Sequence, residues 1–400
     1  MNLLMFNMSN FVDWEEGVCN RNFFVARELI KRPEIDQVVL VDFLSIQPMK
    51  KVFGWKRTLD YGKKLFAWKK DEPSFIGQRI GLTHSLGQIK KGELASDKQV
   101  YVFQGLGLFT QTESAMSSLL SVIEPLGFRP SNTIIWSYNA FLPEAFDLSA
   151  KLKIFDAVDN WATHASYEKE AGKLMENYKR IDRQADLIFT VSEKLKDLFN
   201  NSQANWIPNG TDVSRFANAQ SIELNFKKPI IGYVGTIQER LDFDLLQYVC
   251  NQHQEKSFVF IGPVWKGVQA EVEKLKAECG NVYFIGAKPY EQLPGLLKQI
   301  DVALIPHRLD AFIHSTNPMK MYDYLAAGKA VVTTPGAGTE MFGDVMSIKK
   351  DKESFSKAID EQLANDNNDL REKRRQAVSK HDWSRRMFDM MEIINKHLLQ

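Results

Sequence analysis

Residues 302–333 read VALIPHRLDAFIHSTNPMKMYDYLAAGKAVVT, and this stretch decides the fold class. It begins and ends with two apolar runs, Val302–Ile305 and Ala330–Thr333, whose length and Val/Ile/Leu content are typical of strands buried on both faces. Between the runs, Asn317 is a good helix N-cap and Pro318 suits the first helical position. The stretch therefore predicts a strand–helix–strand unit of a parallel α/β sheet.

The same alternation of short apolar runs and longer amphipathic stretches continues along the rest of the chain. Amphipathic stretches at Cys19–Lys31, Tyr167–Arg183 and Phe243–Cys250 predict helices. Nine more apolar runs predict strands: Leu3–Phe6, Gln37–Val41, Gln99–Phe103, Thr133–Trp136, Leu152–Phe155, Leu187–Val191, Ile230–Val234, Ser257–Ile261 and Val282–Ile285. Strands that alternate with helices in this way indicate doubly wound α/β units.

A turn-rich stretch at residues 206–212, which holds Pro208, Asn209 and Gly210, divides this pattern into two series of strands. We therefore expect a first domain at 1–206 and a second at 213–378, each with one sheet. The remaining residues, 379–400, have a helical pattern but no strand to pair with, and we expect them to pack back across the first domain.

Composition and charge exclude several classes of protein. The chain has 400 residues, of which 44% are hydrophobic and 25% are charged, values that are ordinary for a globular protein and exclude a disordered, collagen-like or fibrous chain. Its 51 Lys and Arg residues nearly balance its 50 Asp and Glu residues, which gives a formal charge of +1. A general nucleic-acid binder should be broadly basic, so nucleic acid is not an expected partner.

The neutral total conceals one basic segment. Residues 50–70 hold eight basic residues and one acid, so they carry +7 and the remainder carries −6. Aromatic side chains alternate with these charges, a composition typical of a membrane-interface element that binds anionic lipid. The alternative is a solvated basic insertion. The predicted membrane contacts, within an insertion at 49–70, are Lys50, Lys51, Trp55, Lys56, Arg57, Lys63, Lys64, Trp68, Lys69 and Lys70.

Cysteine content and targeting signals indicate the compartment. The three cysteines, Cys19, Cys250 and Cys279, have a spacing that fits neither a disulfide framework nor a metal site, which favours a reducing cytoplasm. The first residues lack a positive region and a cleavage site, and no apolar run is long enough to span a bilayer. We therefore expect a cytoplasmic protein that is peripheral on the inner face of the cell membrane.

The predicted helix after Asn317 is the strongest candidate for a binding site. Its N-terminus follows Thr316 at the carboxyl edge of the sheet, where ligands of α/β proteins bind. Lys320 in the first turn opposes the helix dipole, and this placement is explained if an anion binds there. Asp323 lies on the same face and can accept hydrogen bonds from a ribose diol. The plain alternative is a capped helix with both side chains in water.

Two other loops that follow strands can complete such a site. Gly235 and Thr236 follow the strand Ile230–Val234, and Arg240 in the same loop can pair with a phosphate. Gly286 follows Val282–Ile285 and can offer backbone groups to a base, with Tyr290 near its ring. Ordinary turns between strands and helices explain both loops equally well.

Several segments together resemble the retaining glycosyltransferases of the GT-B fold, the large family-four type, and most nearly bacterial cell-surface polysaccharide enzymes of the teichuronic acid type. The resemblance rests on residues 207–212 (IPNGTD), 234–236 (VGT), 284–286 (FIG) and 317–332 (NPMKMYDYLAAGKAVV). It implies two Rossmann-like domains facing a central cleft. The second domain would hold a nucleotide-diphosphate sugar of the UDP or GDP type, and the first would hold a glycan or lipid-linked acceptor. No cofactor and no metal would be required.

The resemblance also implies roles for individual residues. Lys320 and Arg240 would bind the diphosphate, Asp323 the ribose, and Gly235 with Thr236 would line the phosphates. Gly286 would contact the base. This chain departs from the family's pattern at Ser315, where a glutamate usually touches the transferred sugar, at Leu241, where a lysine is frequent, and at Val158, where a histidine is frequent.

Acceptor-side candidates lie in the first domain. Asp156, Asp159 and His164 follow the strand Leu152–Phe155, and Asp159 is the preferred sugar or acceptor contact. Gly17 follows the first strand and would lie near the phosphates or the acceptor. In a front-face retaining mechanism the leaving phosphate takes the proton, so no protein base is needed. Asp159 and Ser315 are the candidate catalytic positions.

Two other functions remain compatible with the sequence. A nucleotide-sugar epimerase of the same fold would need more acid and base residues and would leave the basic segment without a role. A non-catalytic nucleotide-sugar-binding subunit is compatible with Ser315 in place of the glutamate. The sequence does not identify the sugar, the base, the acceptor or the oligomeric state.

Overall fold

The computed structural model describes residues 1–15, 17–42, 75–79, 84–90, 92–105, 112–200, 204–336 and 338–399. Its strands are β1 Asn2–Phe6, β2 Gln37–Val41, β3 Phe75–Arg79, β4 His84–Ile89, β5 Gln99–Gly105, β6 Thr133–Ser137, β7 Leu152–Ala157, β8 Leu187–Thr190, β9 Ala204–Trp206, β10 Ile230–Val234, β11 Ser257–Ile261, β12 Val282–Phe284, β13 Val302–Ile305, β14 Ala330–Thr333 and β15 Ser347–Ile348.

Helices connect most of these strands. The α-helices are α1 Phe11–Glu15, α2 Arg21–Ile30, α3 Thr112–Ile123, α4 Ala171–Gln184, α5 Val213–Asn218, α6 Phe243–Gln252, α7 Gln269–Glu278, α8 Leu293–Leu297, α9 Met319–Ala326, α10 Lys352–Asn365, α11 Asn368–Ser379 and α12 Trp383–Leu398. The 3₁₀ turns are Pro143–Asp147, Trp161–Thr163, Ala165–Glu170, Glu193–Leu198, Lys266–Val268, Tyr290–Gln292, Ile313–Ser315 and Thr339–Phe342.

The chain divides into two compact units, each built around one sheet. The first unit comprises residues 1–14, 21–190 and 196–205, and the second comprises 15–20, 191–195 and 206–400. The second unit includes α12. The packing of the C-terminal residues across the first domain stays a prediction.

Within the described residues, the sheet of the first unit has nine strands in the order β3-β4-β5-β2-β1-β6-β7-β8-β9. Its centre is parallel: β1 pairs with both β2 and β6, in register from Asn2 opposite Gln37 and Thr133. All five residues of β1 are buried, as expected for a central strand covered on both faces. The antiparallel strands β3 and β4 extend one edge.

In the part of the second unit that the structure describes, the sheet has six parallel strands in the order β12-β11-β10-β13-β14-β15. The chain builds outward from β10 to β12 in one direction and then from β13 to β15 in the other. The strand order therefore reverses between β10 and β13, and their carboxyl ends form a topological switch point, where open α/β sheets bind ligands.

Continuous apolar sequence explains why these strands are buried on both faces. β10, β11, β13 and β14 have no exposed residue, and helices α6 and α10 cover the core of this sheet. Phe260 of β11 stacks on Phe284 of β12 with ring centroids 4.7 Å apart. The expected α/β class and all eleven predicted strands are confirmed, with some end residues shifted by one or two positions.

Candidate functional site

Two glycine loops cross at the carboxyl edge of the second sheet. Gly235 follows β10, and its N–H donates to the Ile261 carbonyl at 2.9 Å. Gly262 follows β11, and a Cβ atom added there would lie 2.0 Å from the Gly235 carbonyl oxygen. An added Cβ on Gly235 would lie 3.0 Å from Lys320 Cε. The absence of side chains at both positions lets the two loops approach each other and lets Lys320 lie against the first of them.

Helix α9 begins at Met319, and Asn317 does not cap it. Pro318 occupies the N-cap position without a side-chain hydrogen bond, so the predicted roles of Asn317 as N-cap and of Pro318 as the first helical residue are wrong. The Asn317 side chain instead accepts from the Asn209 N–H at 3.0 Å and from the Tyr322 hydroxyl at 2.9 Å. The buried backbone N–H of Asn209 needs this partner, and this need outweighs local capping.

Lys320 lies in the first turn of α9 and is half-buried. Its Nζ lies 5.1 Å from the centre of the Tyr233 ring, a cation–π contact that holds the ammonium group beside Gly235. Burial, and then the positive charge of Arg240, lower the pKa of Lys320 to about 7, while Asp323 opposes this shift. A bound anion would restore the charged form, so Lys320 suits a phosphate ligand.

Arg240 is the second cation at this edge. In the amide orientation that satisfies both groups, the Gln238 side-chain oxygen accepts from Arg240 Nε at 2.7 Å and from Nη2 at 3.0 Å. The guanidinium carbon lies 5.6 Å from the centre of the Phe312 ring. These contacts hold the guanidinium in one orientation, which favours recognition of phosphate oxygens.

Asp323 lies one turn after Lys320, and its carboxylate is hydrogen-bonded to Thr211 in the turn-rich stretch at residues 206–212. The Thr211 hydroxyl donates to Asp323 Oδ1 at 2.6 Å. Burial raises the pKa of Asp323 to about 7; the Thr211 hydrogen bond and Lys320 lower it, and the charge of Asp212 raises it. A ribose diol that donated to this carboxylate would favour its ionised form.

Ser315 and Thr316 are buried, and their hydroxyl protons are used locally. Ser315 Oγ donates to the Phe312 carbonyl at 2.8 Å, and Thr316 Oγ1 donates to the Ile313 carbonyl at 3.1 Å. The Ser315 carbonyl also accepts from Ser192 Oγ at 2.6 Å. Both side chains therefore stabilise the 3₁₀ turn that leads into α9.

For the remaining donor-side candidates, Thr236, Gly286 and Tyr290, the contacts are made by backbone carbonyls or by a buried ring. The Thr236 carbonyl accepts from the Tyr233 hydroxyl at 3.0 Å, and the Gly286 carbonyl accepts from the Gly262 N–H at 2.9 Å. The Tyr290 ring is buried against Phe216, with ring centroids 6.2 Å apart. The ring thus packs inside the second unit.

Gly17 has φ of 87° and approaches the loop before Tyr290. A Cβ atom there would lie 2.8 Å from the Tyr290 nitrogen and 2.9 Å from the Lys288 carbonyl oxygen. The structure groups Gly17 with the second unit, so this predicted acceptor-side residue supports the loop that carries Gly286 and Tyr290. The close approach requires glycine.

His307 is a residue of this site that the sequence analysis missed. It follows β13 by two positions, is 2% exposed, and its Nε2 has no hydrogen-bond partner within the described part of the chain. Burial, and then the charges of Lys320 and Arg240, lower the pKa of this imidazole well below its usual value. The signal was available, because polar residues that follow the strands of a switch point are the ones that reach a ligand.

In the first unit, Asp156 forms a buried ion pair with Arg21. Arg21 Nε lies 3.0 Å from both carboxylate oxygens, and both side chains are almost completely buried. The carboxylate also helps to raise the pKa of the Tyr138 hydroxyl, after the larger effect of burial. Asp156 is thus part of a buried polar network at the end of β7.

Asp159 and His164 lie in the segment that follows β7. The Asp159 carbonyl accepts from the Tyr178 hydroxyl at 3.0 Å. His164 Nδ1 accepts from the Ser166 N–H at 3.1 Å, which caps a 3₁₀ turn, and its ring packs on Trp161 with centroids 5.7 Å apart. The imidazole of His164 therefore has a structural partner at Nδ1.

Three further expectations concern metal, membrane and the basic segment. In the described ranges, no group of three or more His, Cys, Asp or Glu side chains could hold a metal ion. None of the helices found in those ranges is long and apolar enough to cross a bilayer. The predicted membrane contacts between Lys50 and Lys70 lie outside the described residues.

Comparison with known proteins finds similarity to a recognised sequence family over part of the chain. Residues 228–365 match the family described as Glycosyl transferases group 1. The chain is also 24% identical over 239 residues to the putative teichuronic acid biosynthesis glycosyltransferase TuaH of Bacillus subtilis strain 168, a match that covers 55% of this chain and 59% of that protein. The predicted resemblance to glycosyltransferases is confirmed over these segments.

Solved structures agree on the fold. Sucrose-phosphate synthase from Thermosynechococcus elongatus superimposes with a TM-score of 0.68 at 12% identity, covering 99% of this chain and 98% of that one. HepE from Anabaena, in complex with UDP and glucose, gives 0.63 at 12% identity, covering 98% and 99%. A UDP-forming trehalose-phosphate synthase from Burkholderia xenovorans gives 0.64 at 11% identity, also covering 98% and 99%. The predicted GT-B fold is confirmed.

Proposed function

We propose that this protein is a glycosyltransferase that moves a sugar from a nucleotide-diphosphate donor to a glycan or lipid-linked acceptor. The observation that carries the proposal is the convergence of Arg240, Lys320 and Asp323 at the switch point of the second sheet. All three lie inside the segment that matches Glycosyl transferases group 1. HepE, which shares the fold, has a structure in complex with UDP and glucose.

The donor's diphosphate would bind beside Arg240 and Lys320. The glycine crossing at Gly235 and Gly262 leaves room for phosphate oxygens against the backbone, and the two cations neutralise them. Positive groups at the diphosphate also stabilise the charge that develops on the leaving phosphate when the bond to the sugar breaks. Asp323, held by Thr211, would accept from the ribose hydroxyls.

The proposed stereochemical outcome is retention. The acceptor hydroxyl would attack on the face from which the diphosphate leaves, and a phosphate oxygen would take its proton. Asp156 is already paired with Arg21, which leaves Asp159 as the proposed acceptor contact in the first unit. The anomeric configuration of the first-formed product, followed by NMR, tests this point, and an inverted product would exclude it.

A thermal-shift screen with UDP, GDP, TDP, ADP and their sugars tests the donor site. We expect at least one of them to raise the Tm of the wild type, because a ligand that binds only the native state stabilises it. Lys320→Ala should abolish this shift, whereas Lys274→Ala, at an exposed position on α7, should keep it. Absence of any shift with the wild type would refute the proposal.

We further propose a role in cell-surface polysaccharide synthesis at the inner face of the membrane. The similarity to TuaH, named for teichuronic acid biosynthesis, supports this role. The +7 charge and the aromatic residues of the 49–70 segment support contact with anionic lipid.

A nucleotide-sugar-binding subunit without transferase activity is the second candidate. The hydrogen bond from the Ser315 hydroxyl to the Phe312 carbonyl favours this candidate. The hydroxyl stands where the family's sugar-contacting glutamate is expected, and its proton is already donated within the protein. Release of nucleoside diphosphate from the donor that stabilises the protein, in the presence of acceptor extract, distinguishes the two. A protein that binds this donor and never turns it over would be the binding subunit.

A further inference from the structure

His307 stands at a position where a ligand is expected. It follows β13 by two residues, and Gly235 follows β10 directly, so both lie at the carboxyl edge where the order of the second sheet reverses. Backbone contacts join the segment around His307 to the loop that carries Arg240. The Arg308 N–H donates to the Arg240 carbonyl at 2.8 Å, and His307 pairs with Leu241 in an antiparallel β-bridge.

The backbone at His307 is fixed on its other side by Thr334. The His307 N–H donates to Thr334 Oγ1 at 3.0 Å, and this hydroxyl lies 2.8 Å from the His307 carbonyl, to which it donates. Thr334 directly follows β14, so two neighbouring strands fix the backbone that carries the imidazole.

The imidazole has an unused hydrogen-bonding atom. Nε2 is buried and has no partner among the residues that the structure describes. Buried polar atoms in native proteins nearly always have a partner, and one that lacks it costs stability. A ligand that reached the site would supply the partner.

The charges around His307 decide what kind of ligand fits. Lys320 and Arg240 both act on the ring, and together with burial they keep it neutral by lowering its pKa. A neutral imidazole can donate from Nε2 without adding a third positive charge beside Lys320 and Arg240. The same two cations attract an anion, so their charge favours an oxyanion as the partner of Nε2.

We propose that His307 is a direct ligand of the donor's diphosphate, and that its Nε2–H donates a hydrogen bond to a phosphate oxygen held by Lys320 and Arg240. This inference rests on the proposed nucleotide-sugar site and adds a third, uncharged phosphate contact to it. The His307 side chain therefore contributes to affinity for the diphosphate and not for the nucleoside.

Two substitutions separate this role from a structural one. His307→Phe keeps a planar aromatic ring, larger than the imidazole, and removes both nitrogens, and His307→Gln keeps an N–H donor near the position of Nε2. For His307→Phe we expect the Kd for UDP to rise about 10- to 100-fold, in line with the loss of one hydrogen bond to a charged group. Removal of an unsatisfied polar atom raises its ligand-free Tm and the larger ring lowers it, so the Tm serves only as a check on folding.

The test is calorimetric titration of the wild type and both variants with UDP, uridine and inorganic pyrophosphate. We expect His307→Phe to lose affinity for UDP and pyrophosphate while uridine binding is unchanged, and His307→Gln to retain most of the UDP affinity. If the wild type binds UDP and both variants bind it within twofold, or if uridine binding falls equally, the inference is wrong. If the wild type binds neither UDP nor the other nucleoside diphosphates, the proposed function itself fails.

If His307→Phe does not fold, the ¹⁵N NMR signal of His307 Nε2 in the wild type provides the test. An unchanged signal on adding UDP would overturn the inference, and a shift typical of a new hydrogen bond would support it.

Discussion

At the scale of single residues, Lys320 and Asp323 have pKa values moved toward each other. Burial is the largest cause for both groups, and it brings each pKa to about 7. Burial disfavours the charged form of either group, so the ligand-free site has less charge than its residues suggest. A nucleoside diphosphate would restore both charges, because its phosphates favour the ammonium of Lys320 and its ribose favours the carboxylate of Asp323.

This arrangement predicts a maximum in nucleoside diphosphate affinity near pH 7. Above pH 7 free Lys320 loses its proton and binding must take one up, so affinity falls as pH rises. Below pH 7 free Asp323 is protonated and binding must release that proton, so affinity falls as pH falls. Titration calorimetry in buffers of different ionisation enthalpy measures how many protons are taken up or released on binding at each pH.

Two variants check the assignment of each limb. Asp323→Asn should remove the fall in affinity below pH 7, and Lys320→Met should remove the fall in affinity above pH 7. A pH profile with the same shape in both variants and the wild type would show that other groups control binding.

Thr211 is predicted to position Asp323 for the ribose. In Thr211→Val, which keeps the shape, Asp323 loses its 2.6 Å donor and its pKa should rise further, because this hydrogen bond lowers it. We expect about a 5- to 10-fold weaker Kd for UDP, in line with roughly 1 to 1.5 kcal/mol for one hydrogen bond. The loss should be smaller for 2′-deoxy-UDP.

Thr211→Ser is the matched control, because it keeps the hydroxyl and should bind UDP like the wild type. Equal losses of affinity for UDP and 2′-deoxy-UDP in Thr211→Val would mean that Thr211 does not act through the ribose 2′ hydroxyl.

At the scale of elements, the site depends on how closely the loops after β10 and β11 approach. Gly262 carries the tightest contact, with its missing Cβ 2.0 Å from the Gly235 carbonyl. The loops are also joined by N–H donors: Gly235 bonds back to Ile261, and Gly262 bonds to Gly286. Three consecutive loops of one sheet edge are therefore fixed relative to one another.

Gly262→Ala is predicted to separate these loops. The new methyl group must displace the Gly235 backbone, so we expect a loss of stability of about 1–3 kcal/mol and a weaker affinity for nucleoside diphosphates. Thermal unfolding and titration with UDP measure the two effects. Gly280→Ala is the control, because nothing lies within 4 Å of the added Cβ; an equal effect of both substitutions would contradict the close-approach argument.

Sequence pattern predicted the elements well where burial alone decides them. Central strands such as β10 and β13 are continuous apolar runs, and their apolar sequence is also what the core requires. Four strands at or next to a sheet edge, β3, β4, β9 and β15, were not predicted, because these strands are short or contain glycine and polar residues.

The site was predicted less completely, because long-range contacts change what a residue does. Lys320, Arg240 and Asp323 are brought together as expected. Asn317 has an ideal N-cap sequence context, yet it bonds to Asn209, which is 108 positions away. His307 was overlooked because a lone histidine has no local pattern, although its place two residues after the predicted strand Val302–Ile305 was an available signal.

At the scale of the whole molecule, charge is distributed very unevenly along the chain. The +7 of residues 50–70 and the −6 of the remainder indicate an acidic body with one basic segment. The donor cations Arg240 and Lys320 belong to the second unit and are separate in sequence from this segment.

Deletion of Lys51–Lys70 is predicted to abolish sedimentation with anionic liposomes and to leave the UDP-induced Tm shift intact. Each basic residue near an anionic surface contributes roughly 1 kcal/mol, so the intact segment should hold the protein there. Cosedimentation with phosphatidylserine vesicles, and with neutral phosphatidylcholine vesicles as control, measures this. Undiminished sedimentation of the deletion variant would exclude a membrane role for the segment.

The position of Thr211 has a practical consequence for protein engineering. Its N–H donates to the His381 carbonyl at 3.0 Å, its carbonyl accepts from the Trp383 N–H at 3.2 Å, and its hydroxyl holds Asp323. The segment just before α12 thus supports the residue that orients the ribose-binding carboxylate. A shortened chain that ends before His381 would lose both backbone hydrogen bonds that hold Thr211, so affinity tags and fusion partners belong after Leu398.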